Sequence, residues 1–212
     1  MMVEPRISRV GCVARAACRA GFAVSLALVL AGCVPPGVTS KSTVSAPPMR
    51  WDHRPEATRW TSAALAAVAR RDAALAGRVP ADIATWCPGY KTASLADRRS
   101  FWVGLMSALA KHESSWNPGA AGGGGRWIGL MQISPRTARA NGCGAQSSGA
   151  LKDGAANLAC AVEVLSRDVA RDGVVAGKGN RGVGRQWMPF RKAGKRADMA
   201  AWTSAQPYCA KG

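Results

Sequence analysis

Glu113 is the residue of this 212-residue sequence whose type and spacing point most directly to chemistry. Phe101, Leu105, Leu109 and Glu113 are each four residues apart, so on a helix the carboxylate shares a stripe with three large apolar side chains. An ionised carboxylate is costly to bury, so one that faces a core either has a partner or has its pKa raised. A raised pKa is what a general acid needs. The competing reading puts Glu113 in the last turn of its helix, where the stripe has already emerged into solvent.

Several elements have to position this carboxylate. A Cys-Pro-Gly turn at Cys87 to Gly89 precedes its helix, which the spacing predicts from about Leu95 to Ser115. An earlier helix is predicted from about Pro55 to Ala76, with Trp60, Ala64, Leu65, Val68 and Leu75 at helical spacing, and Pro80 ends it. After Asn117-Pro118 the chain runs through Gly122 to Gly125 into Trp127-Ile128-Gly129-Leu130-Met131-Gln132-Ile133. Glycine this dense beside bulky residues predicts backbone in close approach to a neighbour, and no Gly-Lys-Ser/Thr follows to make a phosphate loop. Ser134 caps a short helix with Pro135 at its first position, and Gly142 stops it. Asp153 or a neighbour starts another helix, whose stripe of Leu158, Val162, Leu165 and Val169 ends before Gly173. From Lys178 to Arg196 the chain is strongly basic with Trp187, Met188 and Phe190 interspersed, and it reads either as a solvated surface with a few residues packed back or as a binding patch.

Ala110-Lys111-His112-Glu113-Ser114-Ser115-Trp116-Asn117-Pro118, followed by Gly129-Leu130-Met131-Gln132-Ile133-Ser134-Pro135-Arg136-Thr137-Ala138, closely resembles the two signature blocks of the soluble lytic transglycosylase family. Asn157-Leu158 is similar to its third block, so the resemblance spans residues 101–172. It implies a mainly α, lysozyme-like fold with little or no β, and peptidoglycan glycan strands as substrate. It also implies Glu113 as the catalytic residue, with Ser114, Met131 and Gln132 as substrate-binding residues near the sugar cleft. One element departs from the family, which usually carries an Ala-Tyr-Asn block near its C-terminal end. Only Tyr90 and Tyr208 occur here, and the best-placed substitute is Trp187, whose ring nitrogen can donate a hydrogen bond but not accept one.

Glycosidases that use water normally need two carboxyl groups, yet from Ser114 to Lys152 there is no Asp or Glu. A single-carboxylate reaction fits better, and the resemblance implies one. Glu113 would protonate the oxygen of the β-1,4 bond between N-acetylmuramic acid and N-acetylglucosamine, then act as base on the muramic acid's own 6-hydroxyl to close a 1,6-anhydro ring. No cofactor or metal is needed, and His53 and His112 alone could not build a metal site. The alternatives are a lysozyme-type hydrolase that positions a water, and a non-catalytic wall-binding lipoprotein that keeps the cleft.

The chain has room for one globular domain and a leader. Arg6, Arg9, Arg15 and Arg19 make a positive start, and Gly21 to Leu30 is an apolar run too short for a membrane span of about 20 residues. The run ends in Leu30-Ala31-Gly32-Cys33, which resembles the lipobox of bacterial lipoproteins. The expected organisation is a signal peptide over 1–32, a Pro- and Ser-rich tether over 33–54 and the domain over 55–212, with a basic tail over 178–212. Cys33 would carry the lipid and hold the protein in the periplasm on a bacterial membrane, in all expectation the outer one. Four cysteines then remain in an oxidising compartment, and Cys143 with Cys160, which bracket a single loop, and Cys87 with Cys209 is the preferred pairing. The net charge is +17. Without the four Arg and one Glu of the leader, 25 basic residues face 11 acidic ones, or +14. Such a balance indicates an anionic partner, and for an exported chain this means wall carboxylates or lipid phosphates rather than nucleic acid.

Overall fold

The computed structural model describes residues 46–211. The expected signal peptide, Cys33 and the tether up to residue 45 lie outside the described residues. Among the described residues the helices are α1 (Ala57–Ala69), α2 (Ile83–Trp86), α3 (Leu95–Ser114), α4 (Pro135–Ala140), α5 (Gly154–Asp172) and α6 (Ala193–Ser204). Strands β1 (Ala121–Gly122) and β2 (Trp127–Ile128) form an antiparallel ribbon that pairs Ala121 with Ile128 and Gly122 with Trp127. Short 3-10 turns at Ala150–Lys152, Gly182–Arg185, Met188–Arg191 and Pro207–Cys209 fill the connections. The fold is therefore mainly α with little β.

The centre of the fold is α3. Ser94 caps it by accepting the Asp97 N–H at 3.1 Å, and the Asp97 carboxylate complements the positive end of the helix dipole. Every residue from Ser100 to Ala110 is buried, so this helix is enclosed on all sides instead of presenting the single stripe that the spacing of Phe101, Leu105 and Leu109 predicts. Small side chains make the enclosure work. The Tyr208 hydroxyl sits where a Cβ on Gly104 would meet it at 2.1 Å, so only glycine lets the C-terminal turn close on the helix there. The buried Ser107 hydroxyl donates to the Gly104 carbonyl at 2.7 Å and accepts the Arg50 N–H at 2.9 Å.

Around α3 pack α1, α6 and the Pro207–Cys209 turn, while α5 packs on α1. Trp51, Trp60, Trp86, Tyr90, Phe101, Trp102 and Phe190 are fully buried and dominate the core. Several of their polar tips are satisfied, as where the Trp51 indole donates to Thr61 Oγ1 at 2.9 Å and that of Trp102 to the Tyr90 hydroxyl at 3.0 Å.

Two elements differ from the sequence expectation. The first helix stops at Ala69 instead of Ala76, because the chain folds into turns that close on the Asp72 carbonyl, which accepts the Gly77 N–H at 2.8 Å, while the Asp72 carboxylate turns away to pair with Arg99. The basic tail packs back on the domain through more residues than the few that the sequence suggests. Val183, Phe190, Met199 and Thr203 within it are buried, and α6 packs against α2 and α3. Its polar composition hides this, since most of its apolar contact comes from single residues between charges.

Disulfides join Cys87 to Cys209 and Cys143 to Cys160, closing spans of 122 and 17 residues, which is the pairing the sequence favours. Next to the first, the Gly89 N–H donates to the Cys209 carbonyl at 2.9 Å, and a Cβ on Gly89 would lie 1.8 Å from the Ala210 oxygen.

Candidate active site

Glu113 lies in the last turn of α3, where that helix leaves the core. The helix is ended by Ser115 and Trp116, two consecutive non-glycine residues in the left-handed region, with φ of 50° and 57°. Each such residue costs on the order of 1–3 kcal/mol, so the surroundings must hold this reversal in place. The Trp116 indole does so by donating to the Ser107 carbonyl at 2.9 Å, one helical turn or more back along α3. The Ser114 hydroxyl donates to the Leu130 carbonyl at 2.9 Å and thereby ties the end of α3 to the facing loop. Ser114 thus acts on that loop and does not line the cavity beside Glu113. The Glu113 side chain is partly buried, and burial pushes its carboxyl up to about 7 from an ordinary 4.5, with the Lys195 cation pulling the other way.

The facing loop is held by one buried amide. Asn157, at the start of α5, accepts the Met131 N–H at 2.9 Å and donates to the carbonyls of Ile128 at 3.0 Å and Leu151 at 2.9 Å. The loop comes so close that a Cβ on Gly129, at φ 80°, would lie 2.3 Å from the Leu151 oxygen and 2.4 Å from Asn157 Nδ2. The close approach expected of the glycine-rich segment is therefore real at Gly129. At Gly124 and Gly125 it is not: nothing lies within 4 Å, and these residues instead supply the positive φ of an open turn. Met131 follows and is fully buried in the core, so its side chain does not reach the cavity as the resemblance implies. Gln132, at φ 46°, does reach it, with its Nε2 donating to the Gly129 carbonyl at 2.9 Å.

Trp187 forms the third wall. Its indole N–H donates to the Met131 carbonyl at 2.8 Å, so the hydrogen bond that could have substituted for a tyrosine hydroxyl is already engaged within the protein. What Trp187 offers the cavity is ring surface. The segment is pinned to the end of α5 by Asp172, whose carboxylate takes Arg185 at 2.6 and 2.9 Å and the Gly182 N–H at 2.7 Å. The Arg185 guanidinium holds the Asp172 carboxyl well below the usual carboxylate range. Gln186 in turn donates to Asp168 at 3.2 Å.

Glu113, Trp127, Gln132, Gln186, Trp187 and Met188 enclose a cavity of about 240 Å³. Among these, Glu113 is the one titratable group, and the rest are aromatic, amide or thioether side chains suited to neutral sugars. Trp127 and Met188 remain 44% and 54% exposed, which is unusual for large apolar residues and leaves them free to meet a ligand. Sequence reasoning assigns no role to Trp127 or Gln186 and names Met188 only within a basic segment read as either a solvated surface or a binding patch. For Trp127 the signal was present, since it stands two residues before the Gly129-Leu130-Met131-Gln132 block. A larger groove, of about 500 Å³, is lined by Pro47, Leu65, Ser100 and Tyr208. It lies near the other end of α3, about 20 Å from Glu113 along the helix axis.

Behind Glu113 stands a cluster of charges. Asp198 on α6 takes Arg50 at 2.7 and 2.9 Å, His112 Nε2 at 2.7 Å and Lys111 at 3.4 Å. This locks α6 to the end of α3. Burial pulls the His112 pKa down, with Asp198 opposing, and the Arg50 guanidinium keeps the Asp198 carboxyl well below its ordinary range.

Residues 92–199 match the Transglycosylase SLT domain family, which is half of the chain. No curated protein matches the sequence. Among solved structures the chain is similar to DslA. A glutamate-to-glutamine mutant of DslA superposes with a TM-score of 0.69 at 28% identity, covering 78% of this chain and 98% of the DslA chain. Its wild-type form gives 0.69 at 27% identity, covering 78% and 100%. With the signature blocks, the lysozyme-like helical core and the match over residues 92–199 in agreement, the chain belongs to the transglycosylase SLT domain family.

Proposed function

We propose that this protein is a peptidoglycan lytic transglycosylase that cleaves the β-1,4 bond between N-acetylmuramic acid and N-acetylglucosamine, with Glu113 as acid and then base. The observation that carries this reading is that Glu113 is the single titratable group lining the cavity, with its carboxyl pushed up to about 7. Burial thus lets Glu113 keep, near neutral pH, the proton that the leaving oxygen needs. In the first step the Glu113 proton passes to the glycosidic oxygen, the bond from that oxygen to C1 of the muramic acid breaks, and N-acetylglucosamine leaves with a free 4-hydroxyl. In the second, the 6-hydroxyl of the same muramic acid attacks C1 and gives its proton to the Glu113 carboxylate. A 1,6-anhydro ring results, Glu113 is protonated again and no water is consumed. A nucleophile from within the same sugar needs no second carboxylate to activate it, which suits a cavity lined by amides and rings.

We further propose that Cys33 carries a lipid that holds the domain on the periplasmic side of the outer membrane, the proline-rich tether giving it reach to the wall. Labelling with radioactive palmitate that marks the wild type and not Cys33→Ser would support the anchor, and equal labelling would remove it.

Mass spectrometry of purified peptidoglycan after digestion tests the reaction. Muropeptides ending in 1,6-anhydro-muramic acid, one water lighter than hydrolytic products, are expected. Ordinary reducing ends would make the protein a lysozyme-type hydrolase, and intact strands would make it a binding protein.

A further inference from the structure

The four consecutive glycines between the two signature blocks do different work. Gly122 pairs with Trp127 across the β1–β2 ribbon, and its carbonyl accepts the N–H groups of Gly125 at 3.1 Å and Arg126 at 3.0 Å, which closes the turn. A Cβ on Gly122 would lie 2.5 Å from Gln132 Oε1, and one on Gly123 would lie 2.1 and 2.3 Å from two ring carbons of Trp127. Gln132 and Trp127 both line the Glu113 cavity, so two successive glycines each make room for one of its side chains. The next two, Gly124 and Gly125, have nothing within 4 Å of an added Cβ and serve the turn alone. The Gln132 amide has no second placement. Its Nε2 donates to the carbonyls of Gly129 at 2.9 Å and Ala120 at 3.4 Å, so the nitrogen must face these acceptors and the oxygen must take the space over Gly122. Trp127 is exposed and lies outside the buried core, and its ring edge rests on the bare backbone of Gly123.

We propose that Gly122 and Gly123 are positioning residues of the sugar site: by lacking side chains they set Gln132 and Trp127 against the glycan. This rests on the reading of the Glu113 cavity as a glycan-cleaving site. A side chain at either position displaces an amide or a ring that grips the strand, while Glu113, held on α3, stays where it is. Gln132 and Trp127 touch sugar before and during the reaction alike, so the loss falls on KM and not on kcat. Alanine at Gly122 is tolerated by the fold, because its backbone lies outside the left-handed region and the atom it meets is the end of a flexible side chain. Alanine at Gly123 adds strain at φ 57°. Gly124→Ala, at φ 66° and in open space, reproduces that strain without moving a side chain.

Binding is read by co-sedimentation of the full chain carrying Glu113→Gln with purified peptidoglycan, and turnover by steady-state kinetics on the same material with Glu113 in place. Gly122→Ala and Gly123→Ala are each expected to weaken binding about five- to tenfold and to raise KM in step, with kcat near that of the parent. Gly124→Ala should change neither. Removing the displaced side chain should erase the effect, so Gly122→Ala is expected to cost nothing further in a Gln132→Ala background, nor Gly123→Ala in a Trp127→Ala one. A loss that persists in those backgrounds overturns the inference, as does an equal loss from Gly124→Ala or unchanged binding in the two single variants. Peptidoglycan that the parent binds but does not cleave would sink the proposed reaction and leave these binding ratios to decide the role of the glycines. Peptidoglycan that it does not bind at all would remove both.

Discussion

The Ser114 hydroxyl and the Leu130 carbonyl, 2.9 Å apart, join the helix that carries Glu113 to the loop that faces it across the cavity. The two signature blocks of the sequence thus meet through a hydrogen bond and not only through shared substrate. Ser114→Ala should cost about 1 kcal/mol of stability and lower kcat several-fold with little change in KM, because it loosens the positioning of Glu113. Thermal melts and steady-state kinetics on purified strands read this, and an unchanged kcat would reduce the bond to a packing detail.

Glu113→Gln should abolish cleavage, since general acid-base catalysis alone is worth about 10²- to 10⁴-fold. It should also stabilise the protein at alkaline pH. A carboxyl raised from 4.5 to about 7 keeps its proton longer in the folded state than in the unfolded one, so stability falls as pH rises between those values. The ionised carboxylate therefore costs up to about 3 kcal/mol above pH 7, and the amide removes that cost. The Tm of the variant should exceed that of the wild type at pH 8 by several degrees and by much less at pH 5. Equal differences at both pH values would show that Glu113 is not desolvated.

The same ionisation sets the rate profile. The first step needs Glu113 protonated, so kcat/KM should be level below its pKa of about 7 and fall about tenfold per pH unit above it. Lys195→Gln removes the cation that opposes the upward shift, and it should move the descending limb to higher pH. A profile that rises above pH 7 would assign Glu113 the base role alone.

How far the sequence carried this picture differs from element to element. α4 and α5 were legible because their caps, Ser134 and Asp153, and their stops obey local rules that tertiary contacts leave alone. α3 was legible in extent but not in setting: Gly104 and Ser107 look like gaps in an apolar stripe, and only the packing of Tyr208 and Arg50 against them reveals a helix enclosed on every side. Within the site, Glu113 and Gln132 were readable from the signature blocks. Ser114 and Met131 carry the same signature yet act through the backbone, by bonding to Leu130 and by offering a carbonyl to Trp187. Met188 and Lys195 carried only the ambiguous signal of a basic segment with interspersed apolar residues, because they reach Glu113 from more than 70 residues away in a segment whose charges mask its packing.

Gly129→Ala should be strongly destabilising. The added Cβ would lie 2.3 Å from a backbone oxygen and would sit at φ 80°, so both strain and overlap act together. A loss above about 2 kcal/mol is expected, with activity lost alongside because Gln132 and the Met131 carbonyl move with the loop. Gly124→Ala, in open space, should cost only the backbone strain, about 1 kcal/mol. Equal effects at the two positions in denaturant unfolding would refute the role given to Gly129.

Of the two disulfides, Cys87–Cys209 should stabilise more, since it closes 122 residues against 17 for Cys143–Cys160. Chain entropy makes the difference about 1–2 kcal/mol. Paired Cys→Ser variants compared by calorimetry check the order, and a larger loss from the shorter loop would show that local strain or packing outweighs loop entropy.

The Cys87–Cys209 bond also has a bearing on biogenesis. Cys87 is made before any residue of the Glu113 helix and its partner comes only after the last helix, so the crosslink cannot form until the entire domain has been synthesised. Gly89 has no side chain, and the final residues lie directly against its backbone, which leaves that position exposed in any chain that stops short of Cys209. A free thiol at Cys87 therefore marks a molecule in which this bond has not closed, as in a chain that is unfinished, clipped or still reduced. Thiol-reactive mass tagging would separate such molecules from complete ones without any assay of the enzyme.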